Sequence, residues 1–283
     1  MKKSIQELLD FSIVNIDKPS GPTSFQTDEF IKRALGLKKT SHFGTLDPKV
    51  TGVLPIALNR ACKLSGFFMQ KDKVYVGIMH LHKEIKLKQI QEIIDKEFTG
   101  KIKQTPPKRS KVKRQERERE IKKFELLEQN EKDILFIAEV QAGTYIRKLV
   151  YDLGEKIGGA HMTELRRTRA GIFSEQDENF INLYKLKEVI EGYNNGNEDE
   201  LRKILIPAEQ AIKKIMPVVQ VKDEKIINQL LTGKPIHKRE ASNFSDFPDD
   251  EVFVVFSGER FIEIAKKAEE KGDIIARPLF VLN

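Results

Sequence analysis

The sequence predicts an α+β protein in two parts: a larger domain over residues 1–206, built on a mixed and mainly antiparallel sheet, and a small β-rich domain over 207–283. Three patterns carry this. Runs of strand-type alternation are mixed with scattered amphipathic helices, which argues against a wound parallel sheet. A polar stretch over 192–200, containing Asn and Gly, separates two differently patterned halves. Beyond it, two apolar runs flank Ser257-Gly258-Glu259, as in a hairpin.

Residues 12–17 predict a short strand. Thr23 with Gln26 makes a capping box, and Phe30, Ile31, Ala34 and Leu35 form the apolar face of a helix stopped at Gly36. A loop around Asp47 follows. Residues 73–80 alternate as a strand, with Val74, Val76 and Ile78 on one side and Tyr75 and Met79 on the other, so Tyr75 is expected to face away from the aliphatic side. Leu87, Ile90, Ile94 and Phe98 mark a helix ended by Gly100, and 134–140 reads as a strand. Ile146, Leu149, Val150, Leu153 and Ile157 recur at helical spacing up to Gly158-Gly159, and Arg147 falls off that stripe. In the second half, Pro207 opens a helix containing Ile212 and Ile215, 218–221 is extended, and Ile226, Ile227, Leu230 and Leu231 lead a helix to Gly233. The hairpin of 252–256 with 261–265 and a last strand over 274–281 complete the chain.

Composition narrows the function classes. The 283 residues hold 50 Lys and Arg against 43 Asp and Glu, a net charge of +7 with pI near 9.2. The distribution says more than the total. Between 101 and 123 eleven basic residues stand against three Glu, and Arg166, Arg167 and Arg169 form a second cluster. Interruption of the first run by Pro106-Pro107, Val112 and Ile121 suggests a surface element held against a partner, best matched by a phosphate backbone. The single cysteine, Cys62, excludes an intrachain disulfide framework or a cysteine metal cluster. Met1-Lys2-Lys3 is followed by polar residues and no apolar run reaches bilayer length, so a soluble cytoplasmic protein without membrane contact is expected. His80 and His82 lie at strand spacing without a matched acidic or cysteine partner, so no metal site is expected there or at His161.

Residues 41–58 are apolar and glycine-rich and hold one carboxylate, Asp47. Gly44 and Gly52 permit tight backbone approach, and Pro48 pushes Asp47 out of helical geometry. Because Phe43, Leu46, Val50, Val53 and Leu54 flank it, the loop reads as packed and its carboxylate as partly desolvated.

The run Gly44-Thr45-Leu46-Asp47-Pro48 has company in order along the chain: 16–24, Lys73-Val74-Tyr75-Val76, Gly143-Thr144-Tyr145-Ile146-Arg147 and 160–169. Together these stretches, covering roughly residues 13 to 175, closely resemble the TruB-like pseudouridine synthases. Phe43, 49–52, 79–82, 104–110 and 112–114 resemble the archaeal and eukaryotic dyskerin-type branch, the catalytic subunit of H/ACA ribonucleoproteins, although Lys111 departs from its pattern. Gly233-Lys234-Pro235, Val254, Gly258 and the terminal strand resemble a PUA domain.

The resemblance implies a pseudouridine synthase catalytic domain with a PUA-like RNA-binding tail. The reaction breaks the C1′–N1 bond of uridine, turns the uracil over and joins C5 to C1′; it is redox-neutral and calls for no cofactor. Asp47, Tyr75 and Arg147 are implied as catalytic, with Asp47 ionised beside a buried Arg147. His42, Tyr145, Leu165 and Lys18 are implied around the substrate, Lys18 as support for the loop. Lys108, Arg109, Lys113, Arg114, Arg166 and Arg167 are the candidate RNA contacts. Implied partners are tRNA or rRNA, an H/ACA guide RNA and small accessory proteins. A stand-alone tRNA enzyme acting on the T-arm and a catalytically idle RNA-binding scaffold are the alternatives.

Overall fold

The computed structural model describes residues 3–106, 113–245, 251–268 and 272–283. The chain divides into two compact units, Met1–Leu205 and Ile206–Asn283. In the first, the order is α1 (Ile5–Asp10), β1 (Ser12–Lys18), α2 (Ser24–Ala34), β2 (Thr40–His42), β3 (Thr51–Leu58), α3 (Ser65–Met69), β4 (Lys73–Leu81), α4 (Leu87–Glu97), β5 (Gly100–Gln104), β6 (Arg117–Asn130), β7 (Asp133–Val140), α5 (Ile146–Ile157), β8 (Ala160–Ala170), β9 (Phe173–Ser174), β10 (Phe180–Asn182), α6 (Leu183–Asn194) and α7 (Asp199–Ile204). The strand β11 (Leu205–Pro207) leads to α8 (Ala208–Lys213), β12 (Val218–Gln220), α9 (Glu224–Leu231), β13 (Ile236–His237), β14 (Val252–Ser257), β15 (Arg260–Lys267) and β16 (Ile274–Val281).

The main sheet runs β10-β1-β3-β8-β4-β7-β6-β5. Its β1–β10 and β3–β8 pairs are parallel and the other pairs on this path antiparallel, so the fold is the mixed, mainly antiparallel α+β type that the sequence predicts. Helices start and stop where local chemistry dictates. Thr23 and Gln26 form a reciprocal cap, each accepting the other's backbone N–H at 3.1 and 2.8 Å. The stripe Ile146, Leu149, Val150, Leu153 and Ile157 on α5 is 0–5% exposed, and the helix ends at Gly158 with φ 85°. Among the described residues, no helix is long and apolar enough to cross a membrane.

In β4, Tyr75 shares a side with the buried Met79 and Leu81, opposite Val74, Val76 and Ile78, as expected; Tyr75 is itself partly buried and packs on the main core, and the three aliphatic residues are partly buried too. Several expectations are corrected. On α2, Ile31 and Leu35 are buried as expected, but Phe30 is exposed. The 192–200 stretch is a loop only over 195–198, with its ends belonging to α6 and α7. The basic run beyond 113 leads into β6, and Lys101 and Lys103 of β5 pair with Glu118 of β6 and Glu116 just before it at 3.1 and 3.5 Å, so part of its charge is balanced internally. Lys108 and Arg109 lie outside the described residues; Lys113 and Arg114 are exposed.

The second unit is a five-stranded sheet, β12-β14-β15-β16-β13, with Ile226, Ile227 and Leu230 of α9 packed against Phe253, Val255 and Ile262. Glu263 lies in the middle of β15 at 0% exposure, and neither carboxylate oxygen has a hydrogen-bond partner among the described residues. Burial pushes its carboxyl up from 4.5 to about 8. The folded state then holds a proton that the unfolded chain has lost, so stability falls as pH rises from 4.5 to about 8 and levels off above. Glu263→Gln should remove that slope. Urea unfolding of the full chain at about pH 5 and about pH 9 checks it: the wild type should lose up to a few kcal/mol between them and the variant much less.

Candidate active site

The Asp47 loop spans the turn between β2 and β3, an antiparallel pair in which His42 faces Ile56. Each part of it is tied down. The Phe43 N–H donates to the Pro55 carbonyl at 2.9 Å, and the Phe43 ring stacks on Phe68 with centroids 4.8 Å apart. Buried Ser24, the first residue of α2, closes on Leu46 in both directions, donating to its carbonyl at 3.0 Å and accepting its N–H at 2.8 Å. The Gly21 N–H reaches the Pro48 carbonyl at 2.9 Å, and the Val50 N–H reaches that of Asp47 at 3.0 Å.

Two buried cations complete the frame. Lys18, 0% exposed, donates to the carbonyls of Pro19, Pro22 and Pro48 at 2.7, 2.8 and 3.1 Å, joining the loop to the turn before α2. Burial lowers its ammonium pKa and the nearby Asp47 charge opposes that shift. Arg167, 1% exposed, donates to the Val53 carbonyl at 2.8 Å and the Gly44 carbonyl at 3.0 Å. At Gly52, φ is 98° and a Cβ would stand 2.2 Å from the Arg167 carbonyl oxygen, so only glycine lets β3 lie against β8 here. Beside Arg167, burial and that guanidinium push the Lys73 ammonium down to about 8, against the pull of Asp72.

The Asp47 carboxylate pairs with the Arg147 guanidinium, which projects from the first turn of α5. Their side chains are 50% and 57% exposed: the carboxylate is only partly desolvated, as expected, but the arginine expected to be buried is corrected to a half-exposed one, so the pair is hydrated. The start of α5 is fixed by Gln104, whose amide accepts the Tyr145 N–H at 2.9 Å and donates to its carbonyl at 3.1 Å. Tyr75 faces Arg167 in the β4–β8 ladder and so connects to the loop through that residue. His42 is held by Asp28 of α2 on Nδ1 and lies 3.2 Å from the Thr45 hydroxyl on Nε2. Leu165 is 9% exposed and belongs to the main core.

Two candidate RNA contacts change role. Arg167 is structural, since its guanidinium is buried on carbonyls. Arg166 is occupied by Asp17, through paired contacts of 2.9 and 3.1 Å, and by Glu175 at 2.8 Å. Lys18, grouped with the substrate residues, is fully buried and ties the loop to the turn before α2. Ser24 and Asp28 were missed by the sequence reading; their signal was position, on the first two turns of a helix beginning where a glycine- and proline-containing turn ends. His80 does have an acidic partner, Asp133 at 2.8 Å, and His82 meets His161 at 3.0 Å.

An exposed ion pair contributes little to stability, so Arg147→Ala should shift unfolding free energy by about 0–1 kcal/mol, against the 3–5 kcal/mol typical of a buried pair. Gly52→Ala should cost about 1–3 kcal/mol from backbone conformation alone, with the Arg167 collision in addition. Chemical denaturation of both variants checks this. A Gly52→Ala chain as stable as wild type would show that β3 and β8 are not so closely apposed.

Comparison with known proteins adds to this geometry. Residues 32–146 match the TruB family pseudouridylate synthase (N terminal domain), and 147–213 the tRNA pseudouridylate synthase B C-terminal domain. A probable tRNA pseudouridine synthase B of Methanocaldococcus jannaschii is 41% identical over 86% of this chain and 72% of its own. Counterparts from Methanopyrus kandleri and Nanoarchaeum equitans are each 44% identical, over 78% and 76% of this chain and 65% and 62% of theirs. Among solved structures, a chain of a Cbf5-Nop10-Gar1 complex superposes with a TM-score of 0.88 at 35% identity, covering 99% of this chain and 87% of that one. A chain of an H/ACA RNP bound to a substrate RNA containing 2′-deoxyuridine gives 0.86 at 32% identity, covering 100% and 88%. The packed loop that presents Asp47 to Arg147 thus sits inside a sequence and a fold shared with these enzymes, and the chain belongs to the TruB family of pseudouridine synthases.

Proposed function

We propose that this pseudouridine synthase isomerises a uridine of tRNA or rRNA as the catalytic subunit of an H/ACA-type particle, directed by a guide RNA and assisted by small accessory proteins. The observation that carries the reading is the extent of the structural likeness: chains from H/ACA assemblies match 99–100% of this chain, including its C-terminal unit, at TM-scores of 0.84–0.86. In this reading residues 207–283 act as a PUA-like RNA-binding domain. The names of the archaeal relatives favour a second reading, a stand-alone tRNA enzyme. The Asp47–Arg147 pair argues against an idle scaffold, because an RNA-binding surface has no use for a carboxylate that repels phosphate.

Asp47 is the group that reacts. Arg147 fixes its direction and balances its charge, so that it can attack the ribose or base, or stabilise cationic character at C1′. The C1′–N1 bond breaks, the uracil turns over, and C5 bonds to C1′; the C5 hydrogen leaves as a proton and N1 takes one up. Tyr75 offers its ring to the base and its hydroxyl to proton movement, with Tyr145 and His42 beside the entering nucleotide. A uridine in a stacked helix must be extruded to reach Asp47, at a cost of a few kcal/mol.

Asp47→Asn should abolish pseudouridine formation while folding and RNA binding persist, because the amide keeps the shape and loses the charge. Mass-spectrometric mapping after incubation with tRNA, with and without guide RNA, tests both this and the assignment; normal turnover by the variant overturns the mechanism. Deleting 216–283 should end guide-directed modification, and equal guided activity without the tail would leave the stand-alone reading. RNA affinity should fall with salt at a log–log slope of about −0.7 per neutralised phosphate. Neutralising Lys108, Arg109, Lys113 and Arg114 together should flatten it.

A further inference from the structure

The helix α2 attaches to the catalytic loop by its inner side. Ser24 closes on Leu46, and Asp28, one turn on, holds His42; both are buried, as is Thr27 between them. Phe25 points the other way and is 66% exposed. Its backbone follows directly on the residue that fixes Leu46, and Leu46 precedes Asp47. The exposed rim here comprises Asp47, Pro48 and Lys49 on one side and Ser20, Gly21 and Phe25 on the other, stitched together by the Gly21–Pro48 hydrogen bond. Phe25 is the single large apolar side chain of that rim.

An isolated exposed phenylalanine needs no explanation by itself. This one stands out by place, since it is rigidly attached to the loop that carries the reacting carboxylate. Extruding a uridine leaves a neighbouring base with an uncovered face, and aromatic side chains recover such faces by stacking, without regard to sequence. The first turn of α2 is rigid, being capped on both sides by Thr23 and Gln26, so a ring on it is held in place before RNA arrives. Other exposed large side chains, such as Phe30 later on α2, Tyr151 on α5 and Tyr184 on α6, do not adjoin a residue hydrogen-bonded to Leu46 as Phe25 adjoins Ser24.

We propose that Phe25 is a stacking platform for the base adjoining the target uridine, so that it sets how the RNA strand lies across the Asp47 loop. This rests on the reading of that loop as the uridine site. The chemistry it recognises is the flat face of a nucleobase, purine or pyrimidine.

The test uses the full-length chain and a T-arm stem-loop RNA carrying 2-aminopurine on the 5′ or the 3′ side of the target uridine, with and without guide RNA. Binding to wild type should quench one of the two probes. Phe25→Ala should abolish that quenching and weaken binding on the order of tenfold; Phe25→Trp should retain both, and Phe25→Leu should behave as Ala. Tyr184→Ala serves as the control for loss of an exposed ring. Retained quenching in Phe25→Ala, or Phe25→Leu equal to wild type, overturns the proposal. Fluorescence is read without turnover: a chain that quenches through Phe25 yet makes no pseudouridine counts against the enzymatic reading alone, whereas turnover without Phe25-dependent quenching counts against the platform.

Discussion

Two cations buried on backbone carbonyls hold the candidate active site in shape. Lys18 and Arg167 are 0% and 1% exposed, and both spend their N–H groups on the loop that carries Asp47 or on the segments beside it. Removing such charges from water is costly, and only close, well-directed carbonyls offset it. The requirement runs in both directions. The carbonyls of Gly44, Pro48 and Val53 are drawn to fixed positions, so a loop rich in Gly and Pro becomes a rigid mount. Ser24 and the Phe43–Phe68 stack then remove what freedom is left.

The same frame explains which parts of the fold were legible in the sequence. Strands with clean alternation and helices with long apolar stripes, such as α4 and α5, were readable because one periodicity governs them. β3 was not, because Gly52 and Pro55 are residues that argue against a central strand. Here both are accommodated: Pro55 offers its carbonyl to Phe43, and Gly52 permits the close approach to β8. β6 and β8 were hidden by their charge. A strand carrying Arg166, Arg167 and Arg169 reads as a basic cluster until Asp17, Glu175, Glu139 and two carbonyls are seen to meet it. Sequence shows charges along one dimension and partners in three.

At the candidate site the identity of Asp47, Tyr75 and Arg147 came from motif resemblance, and their surroundings came only from structure. Sequence could not tell that Tyr75 shares the core side of β4, since the side chains flanking it look more apolar than those beneath it. Nor could it tell that Arg167, one residue from the half-exposed Arg166, is sealed. Neighbours on a strand point to opposite faces, so adjacent arginines in one motif take different tasks.

The exposure of the Asp47–Arg147 pair bears on how the chemistry is confined. At 50% and 57% exposed, the two groups are hydrated in the free chain, and water at that distance weakens both their attraction and any field they exert on a sugar. An arginine sealed beside the carboxylate would give a stronger field, but would close the approach to a group as large as a nucleotide. In the proposed function one wall of the site is left to the substrate: the protein supplies a rigid floor of loop, buried cations and core aromatics, and an RNA strand lying over Asp47 would supply the cover. Desolvation would then coincide with binding, and the carboxylate would gain its full strength only with a uridine in place to meet it.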